Sequence, residues 1–406
     1  MKAVVPYIKA FAILMAAFWG FALAACLLPD APVQRHVAYS VTHGDLQIDY
    51  PRAIIPREEC RMDNFTDALI LNQAYMCSRD SLLVSSLANY HSCVGGDAVE
   101  VLQNLVAGED KIKDAYSRYW HGSTYLARCL LVFKDYTAIR YILYFLSSLL
   151  LLAAAAVVWR RAGWRPVVAA ALGLLAVRVF VMQFSLQFLP VMAIGVAAAA
   201  YLCVGPRHRR MSDGMVFFVA GALTAYFDLL TAPMLALGLP LCMAAWLTPD
   251  GEGFGRGLWR LVRLALLWFA AYLFAWAFKW LLATLLLPGN VFADAIQQIS
   301  MRTSDIDDWT RLDALGANLK MLPWSYIIIS LAVFIVLAVR RFDSRGWTRA
   351  ALLLVVMLLP YAWYFAAANH SYLHWWFTYR AQGVSVCALL LAVAALIGPR
   401  KAKIEK

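Results

Sequence analysis

Two aspartates, Asp63 and Asp67, stand four residues apart in DNFTD, a spacing that puts both on one face of a helix. Near the other end of the chain, FAAANHSYLHWWFTYR (Phe365–Arg380) gathers His370, His374 and Arg380 among six aromatics. Between these lie Arg118, Trp120 and His121 in SRYWHG, and Arg140, Asp228 and Lys279 inside or at the edge of apolar runs. A carboxylate can take the proton of a hydroxyl as that oxygen attacks carbon. Guanidinium, ammonium and imidazole groups can hold an anionic leaving group such as a phosphate, arginine most firmly because it binds two oxygens at once. Aromatic rings offer a face to a sugar and a wall to a lipid. Ionisable residues inside apolar segments are costly and tend to mark function.

The elements that must carry these residues are membrane helices. The chain has 406 residues, 63% hydrophobic and 15% charged, with mean hydropathy +0.65. That composition predicts an all-α polytopic membrane protein. Taking about 20 apolar residues per crossing, ten stretches qualify: Tyr7–Leu27, Ile142–Trp159, Pro166–Val181, Leu189–Val204, Met215–Leu229, Pro233–Leu247, Leu264–Leu287, Trp324–Val339, Ala350–Ala367 and Ala381–Ile397. Several are short, and two adjacent pairs could be hairpins, so the expectation is eight to ten transmembrane helices. Residues 1–406 read as a single membrane domain.

Charge sets the orientation, because cationic loops stay cytoplasmic. The segments WRRAGWR, GPRHRR, GRGLWRLVR, RRFDSRGWTR and GPRKAKIEK, with Lys2 and Lys9, place 19 basic against 5 acidic residues on one side. The long loop 29–141 on the other side has 11 basic and 14 acidic. Both termini are therefore expected inside, with 29–141 and a second loop, 288–323, outside. The net charge of +11 is a topology signal and does not point to nucleic acid, since the basic residues flank spans and form no interleaved patch.

The long loop reads as folded. Phe65–Met76 has helical spacing with Asp63 as its natural N-cap, Ser81–Tyr90 repeats the pattern, and the aromatic stretch opening Tyr116–Phe133 predicts a segment lying along the outer surface. Among eight cysteines no CxxC occurs; His91 and Cys93 form one close pair with no second pair to complete a metal site. A disulfide among Cys60, Cys77, Cys93 and Cys129 is expected only in an oxidising compartment. Near the rim, Arg178 and Lys279 read either as snorkelling cations or as cavity-facing ones, and Asp228 as a partner for one of them.

Five stretches carry a resemblance to a known family: MDNFTDALILNQAY (Met62–Tyr75), SRYWHGSTYLARCLLVFKDYTAIRYI (Ser117–Ile142), LTAYFDLLTAPMLALGLPL (Leu223–Leu241), WAFKWLLATLLLPGNVFADAIQQISMRTS (Trp276–Ser304) and NHSYLHWWFTYR (Asn369–Arg380). In that order they resemble the C-type (GT-C) membrane glycosyltransferases, in a bacterial branch associated with cell-surface polysaccharide. The resemblance implies a GT-C-like fold with a large helical first extracytoplasmic loop, in the bacterial cytoplasmic membrane. It implies transfer of a sugar from a polyprenyl-phosphate donor to a surface glycan, with inversion and a carboxylate base. An adjacent acidic pair of many relatives is replaced here by Thr66-Asp67 with Asp63 one turn earlier; Asp67 is favoured as base because Asp63 has a capping job. Arg380 or His374, then Lys279 and Arg140, would hold the donor phosphate, and His121, Trp120, Arg118, Asp228 and His370 would line the substrate site. Some relatives use a divalent cation (Mg2+ or Mn2+) and others none; Asp63, Asp67 and the cluster Asp305, Asp307 and Asp308 could bind one, and no residue is assigned as a metal ligand. The alternatives are a polysaccharide polymerase or ligase taking a diphosphate-linked glycan, and a flippase or other transporter of lipid-linked sugars.

Overall fold

Among the residues that the computed structural model describes (4–52, 55–77, 81–109, 113–205, 208–304 and 309–398), five helical stretches are long and apolar enough to cross a membrane. They are Val5–Cys26, Tyr136–Ala162, Phe254–Leu286, Ser344–Ala366 and Trp375–Ala395; a sixth counts if Arg311–Lys320 and Trp324–Arg340, bent by 76°, form one broken span. The protein is a nearly all-α membrane protein.

In chain order, α1 (Val5–Cys26) leads into α2 (Asp30–Thr42), α3 (Asn64–Met76), α4 (Leu82–Ala88), strand β1 (Tyr90–Ser92), α5 (Ala98–Val106), strand β2 (Lys113–Ala115) and α6 (Gly122–Leu131). The bundle resumes with α7 (Tyr136–Ala162), α8 (Trp164–Ala176), one-turn α9 (Val179–Met182), α10 (Leu189–Leu202), α11 (Asp213–Phe227), α12 (Pro233–Trp246) and α13 (Phe254–Leu286). There follow α14 (Val291–Thr303), α15 (Arg311–Lys320), α16 (Trp324–Arg340), α17 (Trp347–Met357), α18 (Leu359–Ala366), α19 (Ala368–Leu373), α20 (Trp375–Thr378), the 3-10 turn Tyr379–Gln382 and α21 (Gly383–Ala395).

Of the eight to ten spans expected from hydropathy, five are continuous helices of spanning length among the described residues, one more is the broken pair, and four are shorter apolar helices. Helices α8, α10, α11 and α12 have 13, 14, 15 and 14 residues, about 20 Å each against a hydrocarbon core of about 30 Å. Each break has a local cause: α8 stops before Arg178, whose φ of +57° is left-handed, and α11 stops at Asp228, two residues before Leu230 at +70°. These short helices sit deep in the packing, α10 on α12 and α11 on α13. A Cβ on Gly221 would collide with the backbone of Trp268, so only glycine allows the α11–α13 approach.

Residues 29–141 fold around a second core formed by Val33, Val37, Ile70, Leu71, Leu102, Leu105 and Leu131. Helix α3 begins where expected, with the Asp63 side chain accepting from Thr66 N at 2.9 Å. Arg128 is buried and ties the segment to the bundle through Ala25 O, Leu28 O and Asp30. The YWHG stretch departs from expectation. Tyr119, Trp120 and His121 are buried rather than laid on the surface, because Trp120 packs among Phe18 of α1, Tyr226 of α11 and Phe278 of α13. The second loop region supplies α14 and α15; Asp305, Asp307 and Asp308 lie outside the described residues. No disulfide joins Cys60, Cys77, Cys93 and Cys129.

Candidate functional site

Asp63 and Asp67 occupy the first turn of α3 and both are buried. The Asp67 carboxylate accepts from the Tyr136 hydroxyl, from Ser185 Oγ at 3.4 Å and from Leu186 N at 3.4 Å. One turn along α7 from Tyr136, Arg140 lays its guanidinium over the Tyr136 ring at 4.7 Å and donates to Phe184 O at 2.9 Å and Asn64 Oδ1 at 3.2 Å. Arg380 comes from the far end of the chain. It is buried, donates to Trp376 O at 3.1 Å and Arg61 O at 3.0 Å, and stands over Phe188 at 4.3 Å. Asp63 Oδ2 and Arg380 Nε in this cluster are buried with no partner.

Burial governs the electrostatics. Desolvation pushes Asp63 up to about 7, against the Thr66 hydrogen bonds and the attraction of Arg380. It pushes Asp67 up to about 6, held back first by Arg140 and then by the hydrogen bonds from Tyr136, Leu186 and Ser185. The 3-10 turn Glu58–Cys60 flanks the cluster on one side: Tyr379 donates to Glu59 O at 2.7 Å, and Arg178 pairs with the Glu59 carboxylate at 3.0 Å. Arg178 is thus neither a snorkelling cation nor a free one.

Apart from this cluster, a cavity of about 220 Å³ is lined by Arg118, Tyr119, Trp276, Trp280, Arg302 and His370 among others. Arg118 pairs with Asp294 at 3.0 Å and Arg302 donates to the Tyr119 hydroxyl at 2.7 Å. His370 directs Nε2 at Leu230 O, 2.8 Å away, and lies 4.8 Å from the His374 ring. Burial pushes His370 down to about 3 and His374 down to about 4, so both are neutral imidazoles at neutral pH. A neutral His374 would meet a phosphate as a hydrogen-bond donor and not as a cation. His374 stacks on Phe377, which lies 6.0 Å from Phe188 under Arg380; the HWWFTYR stretch therefore runs from the cavity to the acid cluster. Asp228 does not pair with Arg or Lys among the described residues: its carboxylate accepts from Leu230 N at 3.1 Å and Thr231 N at 2.9 Å, a local cap.

The remaining sequence candidates pack elsewhere. Lys279 is buried in α13, donates to Leu87 O at 2.7 Å and lies 5.6 Å from the Trp120 ring. Trp120 donates to Ala275 O at 2.9 Å. His121 pairs with Tyr116 O at 2.8 Å in a left-handed backbone, and burial pushes it down to about 3. The three join α4, α6 and α13 and line neither the cluster nor the cavity.

Four of the eleven candidates (Asp63, Asp67, Arg140 and Arg380) form one cluster, Arg140 at its half-buried edge, while Arg118 and His370 line the aromatic cavity. Sequence reading missed Tyr136, Ser185, Phe188 and Arg302. Tyr136 was within reach as the residue one helical turn before Arg140; Ser185 and Phe188 sit in a connection with no chemical pattern. Both Asp67 oxygens are engaged, and among the described residues no group of three metal-ligating side chains includes Asp63 or Asp67. The chain matches no protein-family model, no curated protein and no solved structure.

Proposed function

We propose that the protein is a glycosyltransferase that moves a sugar from a polyprenyl-phosphate donor to a surface glycan, with the acid cluster as its reaction site. The observation that carries this reading is the pair of unpartnered buried atoms, Asp63 Oδ2 and Arg380 Nε, beside Asp67 and Arg140. An open carboxylate oxygen with a pKa about 7 suits a proton acceptor working near neutral pH. Asp63 is therefore the better base, although sequence alone favoured Asp67: its second oxygen is open while it caps α3, whereas Asp67 is held by three donors.

In the proposed reaction the acceptor hydroxyl gives its proton to Asp63 and its oxygen bonds to the anomeric carbon. The bond from that carbon to the phosphate oxygen breaks, its electron pair leaves with the phosphate, and attack from the opposite face inverts the centre. Arg380 and Arg140 hold the departing phosphate, which is already a stable anion and needs no acid. A lipid carrier is supported by an apolar cavity of about 320 Å³ among α7, α8, α10, α12 and α21, lined by residues such as Leu151, Leu174 and Met243. Its wall includes Val179, next to Arg178. The charge asymmetry of the loops supports a site on the extracytoplasmic face of a bacterial cytoplasmic membrane, with both termini inside.

A second reading, a polymerase or ligase using a diphosphate-linked glycan, draws on Arg118 and Arg302 together in the aromatic cavity, where two guanidiniums suit two phosphates. Supplying monophosphate- and diphosphate-linked donors separately to the purified protein decides between them. Transfer from the monophosphate supports the proposal; transfer only from the diphosphate overturns it.

A further inference from the structure

In the loop segment, β1 and β2 form an antiparallel pair in which His91 stands directly opposite Asp114. On a strand, residues two apart share a face, and so does the residue directly across the pair. Cys93, one residue beyond β1, thus falls on the side of His91 and Asp114. One ligand atom from each of the three lies within 4.8 Å of the others. Cys93 and Asp114 are exposed and His91 is half-buried. His91 Nδ1 is itself buried with no hydrogen-bond partner, an open nitrogen that a metal ion or a donor would satisfy. Sequence offered only the His91–Cys93 pair; the third group comes from across the hairpin.

We propose that His91, Cys93 and Asp114 form a three-ligand site for a divalent cation of the zinc class. A sulfur, a nitrogen and an oxygen suit a borderline-soft ion, and three protein ligands leave a fourth position for water. Binding forms bonds from the ion to the Cys93 sulfur, an imidazole nitrogen of His91 and an Asp114 oxygen, and the Cys93 thiol proton passes to solvent. The role fits the local structure. A two-stranded ribbon of three residues a side is marginal by itself. This one is attached to α3 by a reciprocal pair, Ser92 N to Asn72 Oδ1 at 2.9 Å and Asn72 Nδ2 to Ser92 O at 3.2 Å. An ion bridging β1 and β2 would pin the ribbon against the helix that begins at Asp63 and Asp67.

The test uses the full-length protein in detergent, chelator-stripped and reduced, titrated with zinc against a chromophoric chelator. One zinc ion per chain and a zinc–sulfur distance in X-ray absorption are expected. Cys93→Ser should remove the sulfur signal and weaken binding by at least the roughly 10–100-fold that losing an outer-shell partner costs, with Asp114→Asn also weakened. Substoichiometric zinc, no sulfur in the absorption spectrum, or equal affinity in Cys93→Ser would overturn the site. A readout without substitution uses Cys93 as the exposed cysteine among otherwise buried or half-buried ones. Zinc should slow its maleimide labelling, and an unchanged rate would also overturn the site.

Discussion

The two regions joined by HWWFTYR are built differently. The acid cluster buries two carboxylates and the Arg380 guanidinium, with Arg140 half-buried beside them, and leaves Asp63 Oδ2 and Arg380 Nε without a partner. The aromatic cavity keeps its histidines neutral, and its arginines have partners in Asp294 and Tyr119, while Arg118 Nε, the Tyr272 hydroxyl and Trp363 Nε1 on its lining are buried without one. A buried carboxylate is destabilising unless it is paired, whereas aromatic rings mainly give shape. On the proposed reading, bond-making falls to the acid cluster and recognition to the cavity.

The most severe way to break that assignment is to remove the base. Asp63→Asn should lower the turnover number by about 10²–10⁴-fold, the span of general base catalysis, with donor affinity unchanged; a steady-state transfer assay on protein verified to bind donor measures it. Removing the phosphate's clamp should cost somewhat less. Arg380→Lys keeps the charge but loses the planar fork, and about 10²-fold is expected from the loss of one well-placed donor. If Arg302→Ala matched either loss, bond-making and recognition would not be divided as proposed. We expect Arg302→Ala to raise the acceptor KM by about 10-fold, the cost of one modest polar contact, with the turnover number nearly constant. His374→Ala should change turnover least, and the pH profile not at all, because its imidazole is already neutral.

The pH dependence sharpens the comparison from another side. The base must be ionised, so turnover should rise as pH passes about 7 and level off above it. Stability should run the other way. Folding raises the Asp63 carboxyl from 3.8 to about 7, so the folded state holds that proton more tightly than the unfolded one. The resulting stabilisation is present at low pH and is lost as pH rises from about 4 to about 7. Asp63→Asn should flatten that slope in thermal melts recorded between pH 4 and 8; a slope equal to the wild-type one would show that Asp63 is not the buried group responsible.

Local rules made part of this legible in the sequence. Asp63 as N-cap, α3 starting beside it and a folded 29–141 segment all follow from residues within a few positions of one another. Arg380 and the acids were each visible as chemistry. Hidden were the partners that make a site of them, because Asp67 meets Ser185 and Leu186 across more than a hundred residues and leaves no periodic trace. Hydropathy does not register helix length. It reads apolar content alone, so α8, α10, α11 and α12, which pack against other helices, look like the longer spans, although α8 ends just before Arg178 and α11 ends at Asp228. The aromatics of YWHG misled for the same reason: a membrane-surface anchor and a core residue share one composition.

The claim that matters most is that Asp63 Oδ2 receives the acceptor's proton while Arg380 and Arg140 hold the lipid phosphate. Its most direct test reconstitutes Asp63→Asn and Asp67→Asn in liposomes with purified polyprenyl-monophosphate sugar and a glycan acceptor. Donor binding and product are then measured on the same samples. We expect Asp63→Asn to bind donor as the wild type does and form almost no glycosidic bond, with Asp67→Asn retaining measurable transfer. Transfer by Asp63→Asn at the wild-type rate would contradict it.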